Sequence, residues 1–165
     1  MKKFLFLALL VLSVFTANVF AAGEVDVWGG CTRLNMDNAF TVGLDCFFDV
    51  NKKNPKPGLR VVYLRSGENR ISSASVMFGV RSDYDIGEKF NLNGKLFVDI
   101  LEFNNTKKRS GIKVGGVIFL FGVDPSVGLQ YLFTEKFGLG LDLGYRLSPT
   151  PFSGFTAKLG LNFKI

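Results

Sequence analysis

The feature that most constrains this chain is a repeated alternation of apolar and polar residues. Phe40, Val42, Leu44, Cys46, Phe48 and Val50 interleave with Thr41, Gly43, Asp45, Phe47 and Asp49. Phe90, Leu92, Leu96, Val98 and Ile100 interleave with Asn91, Asn93, Lys95, Phe97 and Asp99. Phe137, Leu139, Leu141, Leu143, Tyr145 and Leu147 interleave with Gly138, Gly140, Asp142, Gly144 and Arg146. Phe155, Ala157, Leu159, Leu161, Phe163 and Ile165 interleave with Thr156, Lys158, Gly160, Asn162 and Lys164. Successive side chains of a strand point to opposite faces, so each segment has one apolar and one polar face. The composition agrees: 19 Gly and 18 Phe among 165 residues fit strands better than helices, because both are poor helix formers.

Turn signals separate the alternating segments: Asn51 to Gly58 with two Pro, Ser66 to Asn69, Asn104 to Ser110, and Ser148 to Ser153 with two Pro. Eight strands are expected near 24–34, 39–50, 59–66, 71–82, 89–103, 111–133, 137–147 and 154–165. The sixth is long, and Asp124-Pro125 interrupts it as a bulge or an extra turn, since Pro cannot donate to a ladder. An internal repeat bears on the count. Tyr84-Asp-Ile-Gly-Glu88-Lys89-Phe90-Asn-Leu92 shares Tyr, Glu, Lys, Phe and Leu with the segment from Tyr131 to Leu139. If the two turns are equivalent they share one rim, and an even number of strands separates them. Counting 111–133 as one kinked strand satisfies that condition. Length agrees, because eight strands leave roughly 18 residues each, whereas sixteen leave about nine, fewer than a spanning strand of about 9–11 plus its loop needs. A large porin is excluded.

Residues 1–21 read as a secretory signal peptide: Lys2 and Lys3, an apolar run from Phe4 to Leu12, and Val19-Phe20-Ala21 before the cleavage point. The remainder, 22–165, is expected to form the barrel domain. Export argues against nucleic-acid partners despite a formal charge of +6.

The polar face carries Gly43, Gly115, Gly138, Gly140, Gly144 and Gly160 beside Asp45, Asp49, Lys95, Asp99, Lys113, Asp142, Arg146 and Lys158. Small residues with a few opposite charges suit the narrow interior of an eight-stranded barrel better than a solvated face. Those eight charged residues are the expected lumen network, because a charge inside a low-dielectric barrel needs a partner. The same pairs would gate an ion path if they exchanged partners. The apolar rows then face lipid. From Phe137 to Leu147, ten rises of roughly 3.3 Å at a tilt of about 45° give roughly 23 Å, against an apolar band of about 25 Å. Phe90, Phe137 and Phe163 fall towards one rim, and Phe40, Tyr145 and Phe155 towards the other, as two interfacial girdles would.

The segment YLFTEKFGLGLDLGYR, from Tyr131 to Arg146, resembles the last hairpin of small outer-membrane β-barrels of the OmpA/OmpX-like superfamily, and so does the closing strand GFTAKLGLNFKI. The likeness covers most of the chain as a pattern and its last 35 or so residues in specific words. It implies an up-and-down antiparallel transmembrane barrel. Both termini and the Glu-Lys-Phe turns would lie at the periplasmic side, with short loops near 35–38, 66–70, 104–110 and 148–153 facing outward. The implied partners are outer-membrane lipid and, during insertion, the barrel-assembly machinery. In that superfamily the last residue is aromatic; here Ile165 is last and Phe163 stands two places before it.

Cys31 and Cys46 fall opposite each other if a hairpin is centred between Asn38 and Ala39, and an oxidising compartment would then favour a cross-strand disulfide. The chain has no His, which excludes Ser-His-Asp, Cys-His and His-bearing zinc chemistry. Gly138-Leu-Gly140-Leu-Asp-Leu-Gly144 lies inside an alternating strand and lacks the helix a phosphate loop requires. No cofactor, metal or catalytic residue is expected. The expected role is structural or surface-related, with at most a small ion conductance. One rival is a soluble periplasmic barrel of lipocalin type with the Phe and Leu rows turned inward around an apolar ligand. Another is a membrane-embedded lipid-modifying enzyme, which would need an unusual Ser-Lys or acid pair.

Overall fold

The computed structural model describes residues 23–34, 38–49, 54–66, 72–107, 113–118, 122–148 and 153–165, with backbone only at 34, 102–107 and 113–118. The expected signal segment, 1–21, lies outside the described residues. The strands are β1 (Glu24–Leu34), β2 (Asn38–Phe47), β3 (Lys56–Ser66), β4 (Ser72–Asp85), β5 (Phe90–Lys107), β6 (Lys113–Ile118), β7 (Val123–Thr134), β8 (Phe137–Arg146) and β9 (Gly154–Lys164). Each pairs antiparallel with a neighbour, and β9 returns to β1 over Leu34↔Gly154 to Glu24↔Lys164. The sheet is therefore closed through β1–β5 and β7–β9, while β6 is paired, among the described residues, with β5 alone.

Nine strands make eight staves. β6 pairs with Glu102–Lys107 and β7 with Phe90–Val98, so both lie along the same side of β5. They are two parts of the expected long sixth strand: β6 ends at Ile118, β7 begins at Val123, and neither ends at Pro125. Pro125 sits within β7 opposite Leu96. On its other side the β7–β8 ladder ends at Ser126↔Gly144 and resumes only as the single bridge Val123↔Leu147. The donor that Pro lacks thus falls in a gap of the ladder.

The two repeat turns share a rim. Leu132 N donates to Lys89 O at 2.8 Å, and Lys164 N to Lys136 O at 2.9 Å. Both described chain ends join them there, with Gly23 N on Phe47 O at 2.8 Å and Ile165 N on Gly23 O at 3.1 Å. This is the turn rim. The connections at 35–37, 67–71, 108–112 and 147–153 belong to the opposite, loop rim.

The faces separate cleanly. Phe78, Leu92, Leu129, Leu141, Leu143 and Leu159 are exposed on the outside, while Asp45, Arg60, Arg81, Lys95, Asp99, Asp142 and Lys158 are buried inside. This corrects the lipocalin alternative, which requires the apolar rows to point inward. The interior nevertheless has an apolar cluster: Trp28, Phe47, Val62, Met77 and Phe97. Glycines make room for its rings. Trp28 faces Gly43 on one neighbour strand and Gly160 on the other. A Cβ at Gly43 would overlap the indole, and one at Gly160 would lie 2.7 Å from Trp28 Cβ. Phe47 faces Gly58 and Phe97 faces Gly79 in the same way. Each large ring of the lumen lies over a neighbour that has no side chain.

The disulfide expectation is corrected by register. The β1–β2 connection falls at 35–37, so Cys31 pairs with Phe40 and Cys46 with Val25. Six residues of β1 separate the two levels, roughly 20 Å of strand, far beyond disulfide reach. Both thiols are free; Cys31 is exposed, and Cys46 is buried beside Val25, Leu44 and Phe48.

Candidate functional site: the charged lumen

The centre of the lumen is Arg60. It is fully buried and its fork is filled on both edges. Nε and Nη2 donate to Asp45 Oδ1 and Oδ2, each at 2.7 Å, and Nη1 donates to Asp124 Oδ2 at 3.0 Å. The guanidinium lies 3.8 Å from the Phe97 ring centre. Trp28 Nε1 also donates to Asp45 Oδ1, at 2.9 Å. Lys158 Nζ reaches Asp124 Oδ2 at 3.3 Å and sits 4.8 Å from the Trp28 ring. Rings and cations therefore alternate across the bore, an arrangement favoured by the negative face of the ring.

A second cluster lies on the turn-rim side. Lys95 Nζ bridges Asp26 Oδ2 at 2.9 Å and Asp142 Oδ2 at 2.6 Å. Asn162 Nδ2 donates to the other Asp26 oxygen. Arg81 binds Asp83 at 2.6 Å, Glu24 at 2.9 Å and Gln130 Oε1 at 2.8 Å. Lys56 closes this end on Glu24 at 2.7 Å and Asp83 at 3.2 Å. A third cluster joins Arg146 to Asp99 at 3.0 Å and to Ser75 Oγ at 2.8 Å. Beyond it, towards the loop rim, the lining turns to hydroxyls, with Thr32 and Thr156 side chains 3.1 Å apart and Thr41, Ser66 and Ser73 buried nearby.

Of the eight charges expected in the lumen, Asp45, Lys95, Asp99, Asp142, Arg146 and Lys158 are buried there and engaged as described. Asp49 is corrected. β2 ends at Phe47, Phe48 N leaves to Pro57 O, and Asp49 is exposed past the strand end. Lys113 lies in β6, and its side chain falls outside the described residues. Sequence reasoning missed the hubs Arg60, Arg81, Asp26 and Asp124. Asp26 was legible in the alternation of Glu24-Val25-Asp26-Val27. Arg60 was not, because Leu59 to Leu64 is apolar on both faces.

Buried ions left without partners are costly, whereas bidentate guanidinium–carboxylate pairs satisfy both groups. The space between Asp26, Trp28, Lys95, Gln130, Asp142 and Lys158 is about 20 Å³, the room of about one water. Among the described residues no three His, Cys, Asp or Glu side chains are grouped to hold a metal.

On the outside, rings run in contact along the turn rim: Phe90 to Tyr131 at 5.1 Å, Tyr131 to Phe133 at 5.2 Å, Phe133 to Phe137 at 5.5 Å and Phe137 to Phe163 at 5.3 Å. Towards the loop rim Tyr145 meets Phe155 at 4.7 Å, and Phe40 is exposed.

No protein-family model matches this sequence, and no curated protein does. Solved structures do. The chain is similar to Neisserial surface protein A, with a TM-score of 0.67 and 11% identity over 86% of this chain and 95% of that one. It is similar to the N-terminal β-barrel domain of Pseudomonas aeruginosa OprF, with a TM-score of 0.56 and 15% identity over 87% and 98%. It is also similar to the outer membrane enzyme PagL, with a TM-score of 0.59 and 11% identity over 85% and 99%. The fold is that of the small eight-stranded outer-membrane β-barrels. Because one of these three is an enzyme, the fold by itself does not decide between catalytic and non-catalytic roles.

Proposed function

We propose, from that shared fold, that this chain is an integral outer-membrane β-barrel with a structural or surface role. Its lumen is plugged, passes at most a small ion current and does no catalysis. One observation carries the reading: among the described residues the outward face is apolar through the middle of every stave, whereas the inward face is filled with paired charges. In water such a belt would be an aggregation surface far larger than monomeric soluble proteins carry. In a bilayer it is the lipid-facing band, and the ring clusters near both rims serve as interfacial girdles. Three features support the closed bore: the Arg60–Asp45 fork, the rings of Trp28, Phe47 and Phe97, and the Lys95 bridge. A non-catalytic role is supported by the engagement of the lumen carboxylates with cations and by the lack of His. On this reading residues 1–21 direct export, the closing strand with Phe163 and Ile165 is what the assembly machinery meets, and outer-membrane lipid is the standing partner.

The test is fractionation followed by gel migration in SDS with and without boiling. The membrane fraction is expected to hold a band that migrates differently unheated, since a closed barrel resists SDS until heated. In planar bilayers the same protein is expected to give conductance steps far below those of an open porin. A single unshifted band in the soluble fraction would contradict the proposal.

A further inference from the structure

Resting on the reading that lipid covers the outer face, we propose that Arg33 and Arg65 form a clamp for the phosphates of a lipid headgroup at the loop rim. Among the described residues, every other outward-facing side chain of the barrel strands is uncharged. Both arginines are exposed, and neither has an ion-pair partner among the described residues. They flank one strand. Arg33 lies opposite Asn38, and Arg65 opposite Phe40, two residues further along the same face of β2. Two strand spacings across and two residues along place them roughly 12 Å apart. A cation on the lipid face is costly at the midplane and tolerated at the interface, where these two sit. Guanidinium forks bind phosphate oxygens bidentately, and basic side chains at a membrane surface attract anionic headgroups.

The surface below the pair matches the rest of a lipid. Phe40, Val42 and Tyr63 are exposed and run from the arginines towards the middle of the band. With Arg33, Asn38 and Arg65 they line the outer flank of a wide-open space at the loop-side mouth, whose inner side is lined by Thr32, Ser66 and Thr156. Phosphate would sit between the guanidinium groups and an acyl chain along the rings and Val42.

The test uses the full-length folded barrel, with diphosphorylated lipid A and the same lipid stripped of phosphate as probes, and reads bound lipid by native mass spectrometry. Wild type is expected to retain the phosphorylated probe on the order of tenfold more than the stripped one, as one or two charge-assisted hydrogen-bonded pairs would give. The Arg33→Gln/Arg65→Gln variant is expected to lose that preference, and Arg33→Lys/Arg65→Lys to keep part of it. Equal retention of the two probes by wild type overturns the clamp without any variant. An unchanged preference in the Gln variant overturns it too, because the phosphate is then held elsewhere. Heat-dependent migration of the same samples separates the two proposals. A shift without phosphate preference removes only the clamp, whereas no shift removes the membrane barrel beneath it.

Discussion

Asp45→Ala is expected to lower the stability of the folded barrel by about 3–5 kcal/mol, the usual cost of leaving a buried ion without its partner. Asp45 takes both edge donors of Arg60 and the indole N–H of Trp28. Its removal leaves Arg60 with Asp124 alone at a fully buried position. Urea titration in lipid vesicles, followed by the fluorescence of the single Trp, reads the change. The double variant Asp45→Leu/Arg60→Met is expected to recover most of the loss, since apolar replacement of a whole buried pair is often neutral. Recovery should be incomplete, because the Trp28 N–H then lacks its acceptor. A loss under about 1 kcal/mol for Asp45→Ala would mean that water reaches this pair and the bore is not closed there.

Leu141→Arg is expected to cost about 2–4 kcal/mol, the depth-dependent penalty for a cation on the lipid face near the midplane of a membrane barrel. Leu141 is the middle of β8 and is 51% exposed. On a barrel in water the same change at an exposed site would fall within about 0.5 kcal/mol. Leu141→Ile keeps the volume and the apolar surface and should cost little. A neutral Leu141→Arg would remove lipid from this face.

The barrel was legible wherever a strand carries one apolar and one polar face. β8 and β9 alternate through their whole length, and so does the Phe90–Ile100 half of β5; there the face of each residue follows from parity alone. β3 does not alternate: Val62 and Leu64 point inward while Leu59, Val61 and Tyr63 face outward, so both its faces are apolar and parity is lost around Arg60. β4 does alternate, with Ser73, Ser75 and Arg81 buried against exposed Phe78 and Val80 and only Met77 apolar inside, so Arg81 was legible by parity and was missed. Phe47 and Phe97 were legible as inward positions but not as plugs. Their place depends on Gly58 and Gly79 across the ladder, and a cross-strand partner is set by register. The cysteine pairing failed for the same reason. Moving the β1–β2 connection from 38–39 to 35–37 changes every partner along the hairpin. The shared rim of the two Glu-Lys-Phe turns was legible because it needs only the parity of the strand count.

The facing of the two sides of the sheet is tested most directly by quenching with lipids brominated on their acyl chains. The chain has one Trp, Trp28, and it points into the lumen at 5% exposure. In bilayers of brominated lipid, wild-type fluorescence is expected to remain nearly unchanged. The Trp28→Phe/Leu141→Trp variant moves the reporter to the outer face and is expected to be strongly quenched. Quenching of Trp28 together with an unquenched reporter at position 141 would contradict the account, for the apolar rows would then be turned away from lipid.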